Sequence, residues 1–256
     1  MSATHRTIAL VTGANQGIGR AVALALARDH NYLVLVGSRS VERGEKAVAE
    51  LSAQLGVGVG DKFRFLQLDL VSDESITAAI ATIEKDYGHL DVLVNNAAVF
   101  LDAIVNDEIL STRELFTQTF MTNVISTAAL TEAMLPLLRK AEAKPPRLVF
   151  VSSFFGSLSQ RLAGDETAQW YDRDSKAYDS SKAAMNMLML NYARILKDVN
   201  GKVNAVCPGL VATSLNKHIE GGKTPEEGTE RIVQAATLGE DGETGTFSNI
   251  EGTIPF

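Results

Sequence analysis

The chain has 256 residues, of which 45% are hydrophobic, enough for one large core, and it carries a net charge of −7. An acidic chain of this kind is a poor candidate for binding nucleic acid or an anionic membrane surface. Its single cysteine, Cys207, excludes an internal disulfide and is typical of a reducing compartment, so we expect a cytoplasmic protein. The first residues lack the layout of a signal peptide, and no apolar run reaches about 18 residues, so we expect neither a leader nor a membrane span.

Short apolar runs alternate with segments of helical periodicity along the chain. The runs predict strands at TIALVT, YLVLVG, FRFLQL, LDVLVN, RLVFVS and KVNAVC. The longer segments predict helices at 17–29, 41–55, 73–87, 112–140 (as one helix or two) and 178–199. Buried strands that alternate with helices indicate a parallel sheet covered on both faces. The sequence therefore predicts one α/β domain over residues 1–256, with a doubly wound parallel sheet of about seven strands and helices on both faces.

Glycines follow the first predicted strand within TGANQGIGR, namely Gly13, Gly17 and Gly19. Glycines at such a strand-to-helix turn let the main chain approach a pyrophosphate, which rests on the helix N-terminus. A turn alone would explain one glycine. Three glycines that open a helix after the first strand of an alternating pattern instead favour dinucleotide binding.

Residues directly after the second and third strands are expected to face the adenosine half of a dinucleotide, since ligands bind beyond the carboxyl ends of parallel strands. The segment GSRS holds no acid that would accept a hydrogen bond from an NAD ribose. Arg39 in this segment could pair with a 2′-phosphate, or it could be a solvated surface arginine. Asp69 could accept from the adenine amino group or cap the following turn. The pattern favours NADP(H) over NAD(H).

The segment YDSSK places Tyr178 four residues before Lys182, and residues at this spacing share one face of a helix. A tyrosine that protonates a developing alkoxide at neutral pH needs a pKa below its ordinary value of about 10. A lysine one turn away can supply a positive charge for this purpose. Because such a pair also arises by chance, it carries weight only if other segments point to the same place.

Motifs in consistent order resemble the short-chain dehydrogenase/reductase family over nearly the whole chain. They are TGANQGIG, NNAA, MTNV around Asn123, VSS, YDSSK and PGLVAT. Ala98 replaces the usual glycine of the second motif, and the C-terminal region is similar to the carbonyl reductase branch. The resemblance implies a Rossmann-type fold and an NADPH-dependent carbonyl reductase or alcohol dehydrogenase. Its substrate would be a ketone, an aldehyde, a quinone or the corresponding alcohol.

The resemblance also implies roles for individual residues. Tyr178 would be the general acid or base, Ser153 would orient the substrate oxygen, and Asn123 would support a water-linked proton path to Lys182. Lys182 would also bind the nicotinamide ribose. Side chains alternate along a strand, so only one of Ser152 and Ser153 can face the cofactor, and the family pattern favours Ser153.

The cofactor-binding residues that the resemblance implies lie after the predicted strands. They are Gly13, Asn15, Gln16, Gly17, Ile18, Gly19, Arg39, Asp69, Leu70, Asn95, Ala97, Tyr178, Lys182, Pro208, Gly209, Val211 and Thr213. Gln16 lacks the positive charge often found at this position in relatives that prefer NADP, so the preference for NADP(H) could be incomplete. The histidines show no metal-ligand spacing, and no metal site is expected.

The segment between Ser153 and Tyr178 is longer than in the family's common arrangement, which predicts a substrate loop at about 154–175. Its aromatic residues would line an apolar pocket wall or merely anchor the loop; they are Phe154, Phe155, Trp170 and Tyr171. Asp172, Asp174 or Ser175 is expected to help start the catalytic helix. In many relatives this face joins subunits, so the extra loop favours a monomer, with a dimer as the alternative.

Other functions remain open at this point. One is a dinucleotide-binding sensor or scaffold without catalysis, although a binder would need none of the four catalytic residues. Another is a different chemistry on the same fold, such as epimerisation or dehydration, which the fold alone does not exclude.

Overall fold

A computed structural model describes residues 6–56, 61–103, 110–164 and 174–256 of the chain. Its strands form one sheet in the order β3-β2-β1-β4-β5-β6-β7-β8. The strands are β1 Ile8–Thr12, β2 Leu33–Ser38, β3 Phe63–Gln67, β4 Val92–Asn95, β5 Arg147–Val151, β6 Lys202–Val206, β7 Phe247–Asn249 and β8 Gly252–Thr253. Neighbouring strands are parallel except β8, which pairs antiparallel with β7. The predicted strands are confirmed; β7 and β8 are too short to show a period in the sequence.

Several helices begin where the sequence offers a capping serine. The helices are α1 Gly17–His30, α2 Val41–Leu55, α3 Asp73–Asp86, α4 Thr112–Phe120, α5 Thr127–Arg139, α6 Leu158–Ala163, α7 Lys176–Ile195 and α8 Glu230–Ala236. Ser40, Ser72 and Ser111 precede α2, α3 and α4, and each hydroxyl accepts from a main-chain N–H of the first turn. The short helices α6 and α8 were not predicted.

Side chains of the strands alternate between two hydrophobic cores. Leu10, Leu93 and Leu148 pack on the side of α3, α5 and α7. Val11 and Val94 pack on the opposite side, with α1, α2 and α8. Parallel strands buried on both faces are typical of an α/β sheet. The predicted doubly wound sheet with helices on both faces is therefore confirmed.

A π-helical turn, Met121–Ser126, joins α4 to α5. The stretch Thr112–Arg139 is thus one helical rod, and by length and composition alone it could span a membrane, which the sequence did not lead us to expect. Leu130 and Met134 of this rod are buried in the core beside the sheet. A helix buried in a protein core passes the same test of length and composition.

Strand order reverses at β1, which lies between β2 and β4. The chain builds outward from β1 through β2 and β3 on one side, and from β4 onward on the other. In open sheets of this kind, ligands bind beyond the carboxyl ends of the strands at this switch point. The residues that follow β1, β4, β5 and β6 therefore form the candidate site.

Candidate active site

Helix α7 brings Tyr178 and Lys182 together, as their spacing predicts. Both side chains are buried, with 8% and 2% of their surface exposed. The Lys182 ammonium nitrogen lies 5.4 Å from the centre of the tyrosine ring. It also donates a hydrogen bond of 2.8 Å to the carbonyl oxygen of Val151, at the end of β5. The lysine is thus fixed beside the phenol by the strand that precedes the serine motif.

Burial shifts the pKa values of both Tyr178 and Lys182 away from their ordinary values. It raises the pKa of Tyr178 above its ordinary value, an effect reinforced by Cys207 and opposed by a hydrogen bond with Ser153. Burial also lowers the pKa of Lys182 to about 7. Removal of both groups from water disfavours both charged forms and opposes the predicted lowering of the tyrosine pKa by Lys182, which stays a prediction.

The two serines that follow β5 have different surroundings. Ser152 is buried, and its hydroxyl donates to the side-chain oxygen of Asn186 at 2.7 Å. Ser153 is half-buried and accepts from the main-chain N–H of Phe155 at 3.3 Å, and its interaction with the Tyr178 side chain opposes the rise in the pKa of that tyrosine. Of the two serines, the one that the family pattern favours is therefore the one beside the tyrosine.

Asn123 lies in the π-helical turn and is fully buried. Its side-chain oxygen accepts from the N–H of Val99 at 2.8 Å, and its amide donates to the carbonyl of Val99 and to the hydroxyl of Ser181. The side chain thus ties the segment after β4 to α7. Its predicted part in a proton path stays a prediction.

The glycine loop after β1 has the geometry of an anion cradle. Gly13 and Gly17 have φ values of +63° and +53°, in the left-handed region that favours glycine. A Cβ on Gly19 would lie 2.5 Å from the side-chain nitrogen of Asn96. Gln16, the N-cap residue of α1, makes no capping hydrogen bond with its side chain, and no acid occupies the first turn. The helix start therefore suits a pyrophosphate.

The loop after β6 meets this glycine loop. The Gln16 side-chain amide donates to the hydroxyl of Ser214 at 3.1 Å. A Cβ on Gly17 would contact the Thr213 methyl group at 3.5 Å, and a Cβ on Gly209 would meet no atom within 4 Å. The structure thus brings Thr213 to the glycine loop, while Gly209 borders open space.

The remaining predicted residues of the two loops are distributed between surface and core. Ile18 packs against the core under α1 and Val211 is buried, whereas Asn15 and Pro208 are half-buried.

The residues predicted to bind the adenosine half of the cofactor are exposed or only partly buried. Arg39 is exposed directly after β2, and Leu70 packs partly against the core. The Asp69 carboxylate accepts from the N–H of Val71 at 3.2 Å, which is the turn-capping role considered for it. Its contact with adenine stays a prediction.

The segment after β4 is held by Thr12 at the end of β1. The Thr12 hydroxyl accepts from the N–H groups of Asn96 and Ala97, both at 2.9 Å. Asn96, which the sequence analysis did not single out, also donates to the carbonyl of Thr12 at 2.7 Å. Asn95 is buried, and its amide donates to Thr131 of α5 at 2.9 Å. A cofactor contact by Asn95 therefore stays a prediction, and its side chain serves the fold.

Apolar groups surround the Tyr178 ring. The ring centre of Phe100 lies 4.4 Å away, with the two planes inclined by 34°. Phe155 and Leu215 pack against this pair. Phe155 was predicted for the pocket, whereas Phe100 and Leu215 were missed because neither belongs to a motif quoted above. Phe154 is 39% exposed; Trp170 and Tyr171 lie outside the described residues.

The start of α7 differs from the sequence prediction. Ser175 occupies the N-cap position but makes no capping hydrogen bond with its side chain, and Asp174 pairs with Lys176 instead. Asp102 supplies the cap from a 3₁₀ turn, Leu101–Ala103, after β4. The prediction of a local cap by Asp174 or Ser175 is therefore wrong, because a carboxylate distant in sequence takes the role; Asp172 lies outside the described residues.

Helix α6, within the predicted substrate loop, is tied to α7 by an ion pair. Arg161 lies 3.1 Å from the Asp179 carboxylate, and its guanidinium group stands 5.4 Å above the ring of Phe155. Burial raises the pKa of Asp179 to about 6, while Ser175 and Arg161 oppose the rise. The described part of the insertion therefore packs beside the catalytic pair.

Comparisons with known proteins agree with this geometry. A family model described as short chain dehydrogenase matches residues 7–223. The short-chain dehydrogenase/reductase eupG of Phoma sp is 35% identical, over 93% of this chain and 89% of the relative. Carbonyl reductase [NADPH] 1 of Sus scrofa is 32% identical, over 95% and 91% of the two chains.

A solved structure titled "ElxO with NADP Bound" superposes with a TM-score of 0.76 and 27% identity, covering 96% of this chain and 97% of that one. The relatives therefore align over nearly their whole length, and the matches include the segments that hold the glycine loop, Ser153 and Tyr178. On this evidence, the chain belongs to the short-chain dehydrogenase/reductase family of oxidoreductases.

Proposed function

We propose that this protein is an NADPH-dependent carbonyl reductase or alcohol dehydrogenase, with Tyr178 as the general acid and base. The observation that carries the proposal is the arrangement around the buried Tyr178: the Lys182 ammonium lies 5.4 Å from the tyrosine ring, and the neighbouring Ser153 opposes the rise in the tyrosine pKa. Relatives at about one-third identity include a carbonyl reductase named for NADPH. A binder or scaffold would need no such arrangement.

In this mechanism the chain's own side chains orient the carbonyl and move the proton. Ser153 donates to the substrate oxygen and holds it beside Tyr178. Tyr178 gives its phenolic proton to that oxygen during reduction and removes a proton from the alcohol during oxidation. When bound, NADPH supplies the hydride for the carbonyl carbon. Asn123 supports the return of a proton to the pair through water.

Lys182 stabilises the tyrosinate left behind by the proton transfer. Its ammonium lies 5.4 Å from the centre of the tyrosine ring, and a positive charge near the phenol attracts the tyrosinate. This attraction acts only while the lysine is protonated, and its pKa of about 7 places that equilibrium near neutral pH. The cofactor and the substrate therefore bind at a site in which the charge of Lys182 changes within the physiological pH range.

The cofactor is NADP(H) in preference to NAD(H). Arg39 is exposed beyond β2 and can pair with a 2′-phosphate, and no acid in the segment 37–40 competes for the ribose. The glycine loop and the uncapped start of α1 accept the pyrophosphate. Gln16 carries no charge, so we expect the discrimination against NAD(H) to be incomplete.

The substrate is a small molecule with an apolar body next to its carbonyl or hydroxyl group. Phe100, Phe155 and Leu215 surround Tyr178 and form an apolar wall at the point of reaction. The predicted contributions of Phe154, Trp170 and Tyr171 to this wall belong to the same proposal. Polar or charged carbonyls would lose hydration without gaining partners there.

We further propose a monomer in the cytoplasm, with a dimer as the alternative. The insertion that carries α6 packs beside the start of α7 through Arg161 and Asp179. Its bulk would hinder the approach of a second copy on that side. Light scattering measures the state directly, and a stable tetramer would contradict this part of the proposal.

A screen of aldehydes, ketones and quinones, followed through NADPH consumption, tests the function. We expect turnover with apolar carbonyls and little with small charged ones. Cofactor binding is measured separately by quenching of protein fluorescence. If NADPH binds and no carbonyl class is reduced, nor any alcohol oxidised with NADP⁺, the protein is a binder and the proposal is wrong.

A further inference from the structure

Asp102 receives two hydrogen bonds from the first turn of the catalytic helix. One carboxylate oxygen accepts from the N–H of Ala177 and the other from the N–H of Tyr178, both at 3.1 Å. The first N–H groups of a helix have no partner within the helix and need an outside acceptor. Because the side chain of Ser175 makes no capping hydrogen bond, Asp102 satisfies two donors that a local cap leaves open.

The carboxylate reaches α7 from the segment that follows β4. Residues 95–102 connect the end of β4, where the glycine loop is braced through Thr12, to the 3₁₀ turn that holds Asp102. One end of this segment is therefore fixed at the predicted dinucleotide site. Its other end is fixed on the main-chain nitrogen of Tyr178, the residue proposed as the acid.

Two further contacts bind the same segment to the catalytic elements. Val99 exchanges two main-chain hydrogen bonds with the side chain of Asn123. Phe100 packs its ring against that of Tyr178, with 4.4 Å between centres. The segment thus holds Tyr178 twice, on its ring through Phe100 and on its main chain through Asp102.

We propose that Asp102 is a positioning residue for the reaction: it fixes the first turn of α7, and with it the Tyr178 hydroxyl, relative to the segment beside the cofactor. This inference rests on the proposed function. Misplacement of a reacting group by about 1 Å can cost roughly a hundredfold in rate, so loss of this link would slow the chemical step. The negative charge also lies at the positive end of the helix dipole, which favours the arrangement.

Asp102→Ala and Asp102→Asn test the proposal, with Ser72→Ala as the matched control. Ser72 caps α3 by accepting from the N–H of Ser75 at 3.2 Å, so its loss weakens a helix start in the same manner but in a different helix. The measurements are kcat and KM for a carbonyl found in the screen, the Kd of NADPH, and hydrogen exchange of the peptide that contains Tyr178.

We expect Asp102→Ala to lower kcat by roughly tenfold or more with an unchanged Kd for NADPH, and to speed exchange at the start of α7. Asp102→Asn keeps one acceptor oxygen and should recover part of kcat. Ser72→Ala should keep kcat and leave exchange in α7 unchanged. The Asn variant also serves as the test if the Ala variant does not fold.

Failure of this inference is distinguishable from failure of the proposed function. If wild-type protein turns over and either folded Asp102 variant keeps wild-type kcat, the positioning role is wrong. If Ser72→Ala lowers kcat equally, the effect is one of general stability and the positioning role is also wrong. If wild-type protein reduces no carbonyl, the proposed function fails, and hydrogen exchange alone then shows whether Asp102 holds the start of α7.

Discussion

Gly156 lies so close to α7 that a Cβ built on it would stand 2.7 Å from the carbonyl carbon of Lys182. Two more atoms of the lysine, its Cβ and its carbonyl oxygen, would lie at 2.9 Å. Contacts this short with main-chain atoms cannot be relieved by a side-chain rotation. The turn after Ser153 is therefore packed directly on the residue that is proposed to support the tyrosinate.

We predict that Gly156→Ala lowers the free energy of unfolding by about 1–3 kcal/mol, the usual cost of overpacking. It should also lower kcat, because the main chain of Lys182 has to shift. Urea unfolding followed by circular dichroism measures the stability. Gly239→Ala is the control, since a Cβ there meets no atom within 4 Å. Equal stability of the two variants would contradict the packing argument.

We predict that Tyr178→Phe lowers kcat by at least about a hundredfold, the low end of the effect of a positioned acid or base. The Kd of NADPH should change little, because the substitution removes only the hydroxyl. Steady-state kinetics and fluorescence titration measure the two quantities. Tyr192→Phe provides the control, since that hydroxyl also lies on α7 but bonds to the carbonyl of Ala128. A Tyr178→Phe variant with most of its turnover would remove the assignment.

We predict that Arg39→Ala raises the Kd of NADPH roughly tenfold to a hundredfold and leaves the Kd of NADH nearly unchanged. A hydrogen bond to a charged group is worth about 1.5–3 kcal/mol, and only NADPH carries the 2′-phosphate. Titration of both cofactors into both proteins decides the matter. Arg28→Ala, which removes an exposed arginine near the end of α1, serves as the control for a general change in charge. Similar affinities of wild-type protein for the two cofactors would defeat the preference.

The raised pKa of Asp179 predicts a pH-dependent stability. In the folded protein this pKa is about 6, above its ordinary value of 3.8, because burial disfavours the charged carboxylate. Between these two pH values the folded state binds more protons than the unfolded state, so stability falls as pH rises. Asp179→Asn removes the titrating carboxyl group and with it this pH dependence, although it also loses the ion pair with Arg161.

Measured by urea unfolding, the stability of Asp179→Asn relative to wild type should therefore rise from pH 4 to pH 7 by an amount on the order of 3 kcal/mol. A Glu50→Gln variant, which changes an exposed carboxylate paired with Arg20, should show no such trend. A constant difference between Asp179→Asn and wild type across this range would contradict the raised pKa.

Much of the fold could be predicted from local patterns. The run IALVT is apolar on both faces because both faces of β1 are covered, and the glycines after it mark the turn into α1. Tyr178 and Lys182 meet because helical spacing alone puts them together. These features depend on residues that are close in sequence, which is the range over which periodicity carries information.

The missed features depend on residues that are distant in sequence. Asp102 caps a helix that begins more than seventy positions later, and Leu215 reaches Tyr178 from the loop after β6. No spacing rule connects such pairs. The lowered pKa of Lys182 could not be predicted for a related reason: it depends on how deeply the folded chain buries the ammonium group, which the sequence of one helix does not reveal.

The π-helical turn Met121–Ser126 gives the rod of α4 and α5 one residue more than an uninterrupted α-helix of the same length would hold. Each residue advances a helix by about 100°, so the positions before and after the turn are out of phase with a regular count. Side chains before and after the turn can therefore contact different parts of the protein. Asn123 is aimed at Val99 and Ser181, while Leu130 faces the core under the sheet. Deletion of a single residue in this turn would rotate one side of the rod against the other, so that either the hydrogen bonds of Asn123 or the core packing of Leu130 would be lost.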